Sequence, residues 1–174
     1  LITLPNLGCN YSRLPIISTK FDLEDFGINP NEPILICPGM PYKYAPQYDW
    51  ILAEIVKRLG KGKLIFFSYQ NNLTEILKLR LEKVFNEANL VLSDYVVFIP
   101  WLQPEDFYGL MKCADVYLDT IGFSGFNSAM QAVDCALPIV ALEGNFMRGR
   151  LASAILKRMA MPELIVKTNE AYIE

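Results

Sequence analysis

From residue 34 onward, short runs rich in β-branched and aromatic residues alternate with longer segments whose apolar positions recur every three to four residues. The short runs read as strands and the longer segments as helices with one covered stripe. Strands are expected at 34–37, 63–68 (KLIFFS), 95–99 (YVVFI), 115–118 (DVYL), 138–142 (PIVAL) and 164–166. Helices are expected at 47–59, 73–88, 104–112, 125–135 and 148–159. In the first helix Trp50, Ile51, Leu52, Ile55, Val56 and Leu59 form one stripe, and Gly60 is placed to stop it, because glycine readily takes the left-handed conformation that closes a helix. Strands alternating with helices demand parallel strands joined by crossovers. The pattern therefore predicts an α/β domain, a Rossmann-like doubly wound parallel sheet of about six strands.

Residues 1–32 lack this periodicity and carry Pro5, Gly8, Pro15, Gly27 and Pro30. They read as a linker or interdomain strap with one short helix at 23–26, and the folded domain is expected over 33–174. The chain starts with Leu instead of Met, so a piece of a longer protein is expected, with an upstream lobe preceding it.

Composition narrows the function. With 52% hydrophobic and 20% charged residues, 174 residues suffice for one domain with a substantial core. A formal charge of −3 argues against a nucleic-acid backbone as partner, since such binding concentrates Lys and Arg on one face. No apolar run approaches the ~20 residues that span a bilayer, and the N-terminus lacks a basic-then-apolar leader. The expectation is a cytoplasmic protein with no membrane partner. Cys9, Cys37, Cys113 and Cys135 are scattered without a CxxC pair, and there is no histidine. Metal chemistry is not expected, and the cysteines read as small core fillers. Without histidine the commonest general base is missing, so proton transfer must use a carboxylate, a lysine or a group from another segment.

In an open parallel sheet, ligands sit beyond the carboxyl ends of the strands, so the loops that follow each strand are where chemistry is sought. After 115–118 comes DTIGFSGFNS, a glycine-bearing turn that opens a helix. Free amides at a helix start, with the positive dipole end behind them, make an anion site. Asn127 and Ser128 add side-chain donors there, and Gly122 and Gly125 let a bulky phosphate approach the backbone. The bland alternative is that Ser124 or Asn127 simply caps the helix. Lys43 is the sole cation in the Pro-rich loop 38–46. It is either a solvated surface lysine or the charge that stabilises a departing diphosphate. In loop 100–107, Trp101 and Phe107 are either core or stacking partners for a base. Arg148 and Arg150 open the 148–159 helix, where they oppose its dipole; they are either solvated or await an anion or acidic partner.

The runs ADVYLDTIGFSGFNSAMQAVDCALPIVALEGNFMRGRLAS, CPGMPYKYAP and IPWLQPEDF resemble the carboxyl-terminal catalytic lobe of the O-linked N-acetylglucosamine transferase family. The resemblance implies the donor-binding lobe of a GT-B fold, often following tetratricopeptide repeats. It also implies inverting, metal-independent transfer of a hexose, such as N-acetylglucosamine, from a UDP-sugar to a protein hydroxyl, with no cofactor besides that donor. Carried over by position, Lys43 matches the diphosphate-binding lysine, and Leu118, Asp119 and Thr120 match the turn before the phosphate loop that includes Gly125. Phe126, Asn127 and Ser128 fall where well-known members have His-Thr-Thr, so Phe126 loses a donor while Asn127 and Ser128 keep theirs. Gln131 replaces a ribose-binding carboxylate, Phe107 a uracil-stacking histidine, and the Leu102 backbone is expected to read the uracil edge. Pro104 and Met40 replace a uridine-contacting lysine and a glutamine, so two polar contacts are missing.

Three readings follow. The first is a donor-binding lobe that binds UDP alone and turns over only with an upstream acceptor lobe. The second is a non-catalytic nucleotide-binding or scaffolding module derived from that family, favoured by Met40, Phe126 and Gln131. The third, a dinucleotide enzyme, lacks a GxGxxG after the first strand.

Overall fold

A computed structural model of the chain describes residues 7–69 and 72–174. Six parallel strands form one continuous layer in the order β3-β2-β1-β4-β5-β6: β1 (Ile34–Cys37), β2 (Lys63–Phe67), β3 (Val96–Ile99), β4 (Val116–Leu118), β5 (Ile139–Leu142) and β6 (Ile165–Val166). The expected doubly wound sheet is therefore present. The chain builds outward from β1 in one direction and then returns to build in the other, so a crevice opens at the carboxyl ends of β1 and β4.

Alternation along each strand feeds both faces. Ile34, Ile36, Ile65, Phe67, Tyr117 and Ile139 pack beneath α4 (Pro104–Cys113), α5 (Asn127–Asp134) and α6 (Leu151–Arg158). Leu35, Cys37, Leu64, Phe66 and Leu118 pack beneath α1 (Asp49–Leu59), α2 (Leu73–Glu87), α3 (Leu92–Tyr95) and α7 (Asn169–Ile173). Among the described residues, no helix is long and apolar enough to cross a membrane.

Several element boundaries differ from the sequence reading. Tyr95 ends the short α3 instead of opening β3, and Asp115 stands outside β4 because its carboxylate accepts the Ile34 amide at 2.8 Å. The expected helix 125–135 starts at Asn127, and 148–159 divides into a 3-10 turn, Met147–Gly149, followed by α6. Gly60 does end α1, at φ 70° with its amide on the Val56 carbonyl. The α1 stripe is narrower than expected: Trp50 and Leu59 are each 44% exposed, leaving Ile51, Leu52, Ala53, Ile55 and Val56 as the buried face. Cys37 is buried, but Cys9 is exposed and fills no core.

Residues 1–6 of the expected linker lie outside the described residues. Ser18 and Thr19 meet α4, and Arg13 pairs with Asp134 on α5. Leu23 and Ile28 are buried in the core, and Phe21 stacks on Phe26 at 5.3 Å. The Thr19 amide donates to the Glu105 carbonyl and its hydroxyl to Asp106 at 2.6 Å. The expected short helix is a single 3-10 turn, Glu24–Phe26.

Candidate functional site

The crevice at the β1/β4 switch point is a cavity of about 790 Å³, within the range of small-molecule sites. It brings together Lys43, Leu102, Phe107, Phe126, Asn127, Ser128 and Gln131, residues that are far apart in sequence. Met40 and Pro104 line it too. Gly125 lies beneath the lining, fully buried.

Lys43 closes a 3-10 turn, Pro41–Lys43, and its ammonium sits 4.7 Å from the centre of the Phe123 ring. It takes part in no ion pair among the described residues. Its loop is clamped from below. The Tyr44 hydroxyl donates to the Cys37 carbonyl at 2.7 Å and accepts the Gly39 amide at 3.1 Å. Arg80, on α2, donates to the Tyr44 carbonyl and, through two nitrogens, to the buried Asp49 carboxylate. The backbone of the turn that carries Lys43 is thus fixed at the cavity wall.

The opposite wall is the start of α5. No side chain caps it: Phe126 occupies the cap position, and neither Ser124 nor Asn127 performs the capping considered from sequence. The amides of its first turn are therefore left without side-chain acceptors at the positive end of an eight-residue helix. Asn127 is exposed, whereas the Ser128 hydroxyl pairs with the Tyr117 hydroxyl at 2.8 Å.

Ser124 and Asp119 hold this wall in place. Asp119, 3% exposed, accepts the Gly125 amide at 2.8 Å and the Ser124 hydroxyl at 2.6 Å. The Ser124 hydroxyl oxygen in turn accepts the Ala152 amide at the start of α6. The Tyr172 hydroxyl donates to the Asp119 carbonyl. Burial pushes the Asp119 carboxyl up to about 6 even though Ser124, two backbone amides and the Lys43 charge act to lower it. A Cβ at Gly125 would fall 2.5 Å from the Tyr117 hydroxyl and 2.7 Å from Ser128 Oγ, so a larger residue there would force both hydroxyls to shift. The sequence offers Ser124 only as a cap and assigns Tyr117 no role; the available signal is a hydroxyl in the otherwise aliphatic strand Val116–Leu118.

The third side is aromatic. Phe107 is half-buried, with its ring edge-on to Phe67 at 5.4 Å, so one end is held by core and the other lines the cavity. Trp101 is 66% exposed and meets Tyr69 at 6.3 Å, so the core role weighed for it is not found. Arg150 finds an acidic partner, Glu143, at 3.1 Å, and Arg148 lies over the Phe146 ring. The cavity has no carboxylate in its lining, and the described residues contain no cluster of three or more Cys, Asp or Glu able to hold a metal ion.

Residues 15–174 match the description of glycosyl transferase family 41. The chain belongs to that family. It is 25% identical over 147 residues to the UDP-N-acetylglucosamine--peptide N-acetylglucosaminyltransferase of Caenorhabditis elegans, covering 83% of this chain and 12% of that protein. Its fold matches a K341M mutant of the Thermobaculum terrenum O-GlcNAc transferase with a TM-score of 0.76 at 23% identity, over 92% of this chain and 29% of that one. A trehalose-6-phosphate structure from E. coli bound with UDP-2-fluoro glucose matches at TM-score 0.54 and 12% identity, over 80% of this chain and 34% of that one. The family 41 chain thus spans about an eighth of the curated relative's length, and its sheet is the carboxyl-terminal lobe of the GT-B architecture.

Proposed function

We propose that this family 41 chain is the donor-binding lobe of an inverting glycosyltransferase that takes a hexose, such as N-acetylglucosamine, from a UDP-sugar and delivers it to a protein hydroxyl. The observation that carries the reading is that one cavity joins Lys43, a cation without an ion pair among the described residues, an uncapped helix start and an aromatic wall. These are three different chemistries, and UDP needs all three.

The diphosphate belongs between Lys43 and the first turn of α5, where the amides and the hydroxyl of Ser128 donate and the ammonium supplies charge. Uracil belongs against Phe107, read by the backbone of Leu102, and the ribose hydroxyls belong with Gln131. Catalysis is electrostatic. As the acceptor hydroxyl attacks the anomeric carbon from the face opposite UDP, negative charge accumulates on the departing diphosphate, and Lys43 with the α5 amides stabilises it more there than in the ground state. The absence of a lining carboxylate is why that charge is assigned to Lys43 and not to a metal. No histidine exists to take the acceptor proton, so that step is assigned to an upstream lobe, with tetratricopeptide repeats preceding it.

A non-catalytic nucleotide-binding module is the second reading. Met40 and Phe126 line the cavity without offering a side-chain donor, and Gln131 is uncharged. Mass-spectrometric detection of hexose transfer to an acceptor protein separates the two. The full-length protein is expected to transfer and this chain alone to bind UDP without turnover. Transfer by the isolated chain, or none by the full-length protein, contradicts the division of labour.

A further inference from the structure

A second concavity of about 720 Å³ lies beside the first, on the far side of Phe123. Lys43 and Phe123 line both, so the two share a wall. Their chemistry differs. The first is lined mainly by apolar side chains, whereas the second carries Lys43, Arg148 and Lys167, with Asn145, Asn169 and the tyrosines Tyr42 and Tyr48 around them.

Its charge is unbalanced. None of the three cations enters an ion pair among the described residues. The sole carboxylate in the lining, Glu143, is already engaged by Lys157 and Arg150, and those contacts hold it below the ordinary carboxylate range. A chain of formal charge −3 thus gathers unneutralised positive charge in one groove next to the proposed site of transfer. Phe146, 69% exposed beneath Arg148, and Tyr42, 60% exposed beside Phe123, give the same groove exposed aromatic surface.

Given the donor reading above, on which this rests, an acceptor chain must run past the diphosphate to present its hydroxyl, and the space adjoining Lys43 on the side away from the nucleotide is this groove. We propose that the groove holds the flank of the acceptor polypeptide and selects acidic residues there. Arg148 and Lys167 would face side-chain carboxylates, and the exposed rings would cover the aliphatic parts of the same segment.

The test uses the present chain saturated with UDP and fluorescent peptides centred on serine, identical except that Glu or Gln flanks the serine. Anisotropy is expected to give binding about tenfold tighter for the Glu peptide, with the difference shrinking as salt rises. Arg148→Ala and Lys167→Ala should each reduce that preference several-fold while UDP affinity, read by calorimetry on the same variants, stays at the wild-type value. UDP binding with no preference for the Glu peptide, or a preference that survives both substitutions, overturns the inference and leaves the donor assignment standing. Failure to bind UDP overturns the donor assignment and this inference with it. Binding of a single-stranded oligonucleotide more tightly than the Glu peptide also overturns it, since the groove would then select nucleic acid.

Discussion

The carboxylate of Asp119 takes the amide of Gly125 at 2.8 Å, so the turn between β4 and α5 is folded around a buried negative charge. That hydrogen bond removes the Gly125 amide from the α5 start and fixes where the free amides begin. It also sets an acid group beneath the proposed diphosphate site, next to the field of Lys43.

The first prediction concerns pH. Asp119 titrates at about 6 in the fold against 3.8 for the ordinary carboxyl. With the folded value raised, the native state holds the proton more tightly than the unfolded chain. The associated stability is fully present below the unfolded value and lost as pH rises through about 6. A rise of that size corresponds to roughly 3 kcal/mol. Tyr117, Tyr172 and Lys43 also act on this carboxylate, and the two tyrosines stay uncharged across the window, burial raising both further. Urea unfolding of wild type and Asp119→Asn at pH 4.5 and 7.5 should therefore show the difference between them moving toward the variant at the higher pH. An unchanged difference would place the Asp119 charge outside the pH response.

Gly125→Ala tests the turn itself. The new methyl meets the Tyr117 and Ser128 hydroxyl oxygens, both held by their mutual hydrogen bond. Thermal or urea unfolding should show a loss of about 1–3 kcal/mol, and UDP binding should weaken with it.

Phe107→Ala separates the two ends of the nucleotide. If the ring stacks on uracil, UDP affinity should fall by about tenfold, the scale of an aromatic contact, while inorganic pyrophosphate binding stays the same. Equal loss for both ligands would show that Phe107 acts only through its packing on Phe67.

Arg80→Ala should destabilise the fold. Asp49 is 3% exposed and burial raises its carboxyl, while Arg80, with its side chain 26% exposed, is its ion-pair partner among the described residues. Removing one partner of this part-buried pair costs about 1–3 kcal/mol. The same arginine holds the Tyr44 carbonyl, so the Lys43 turn should loosen as well, seen as faster amide exchange across residues 38–46.

The sheet was legible because each strand is an uninterrupted apolar run and each crossover helix carries a stripe, a signal that survives without knowledge of neighbours. Lys43 and the α5 start were legible because the doubly wound order puts them where β1 and β4 diverge. The details that depend on a distant partner were not. Asp115 was read as strand because its carboxylate bond to Ile34, across 81 positions, leaves no local trace. Trp101 reads from sequence as either core or a stacking partner, and only its place in the fold, 66% exposed beside Tyr69 and lining the cavity, decides against core. The five-residue α7 is too short to show periodicity, yet its Tyr172 reaches Asp119 and braces the site.

The account stands most directly on calorimetric titration of UDP into wild type and Lys43→Ala. The fixed turn and the lack of a carboxylate in the cavity lining predict measurable binding by the wild type and a loss of about tenfold or more in the variant, the scale expected of a charge-assisted contact to phosphate. Equal affinity in the two proteins would contradict the assignment of the diphosphate to Lys43, and with it the reading of the cavity as a UDP-sugar site.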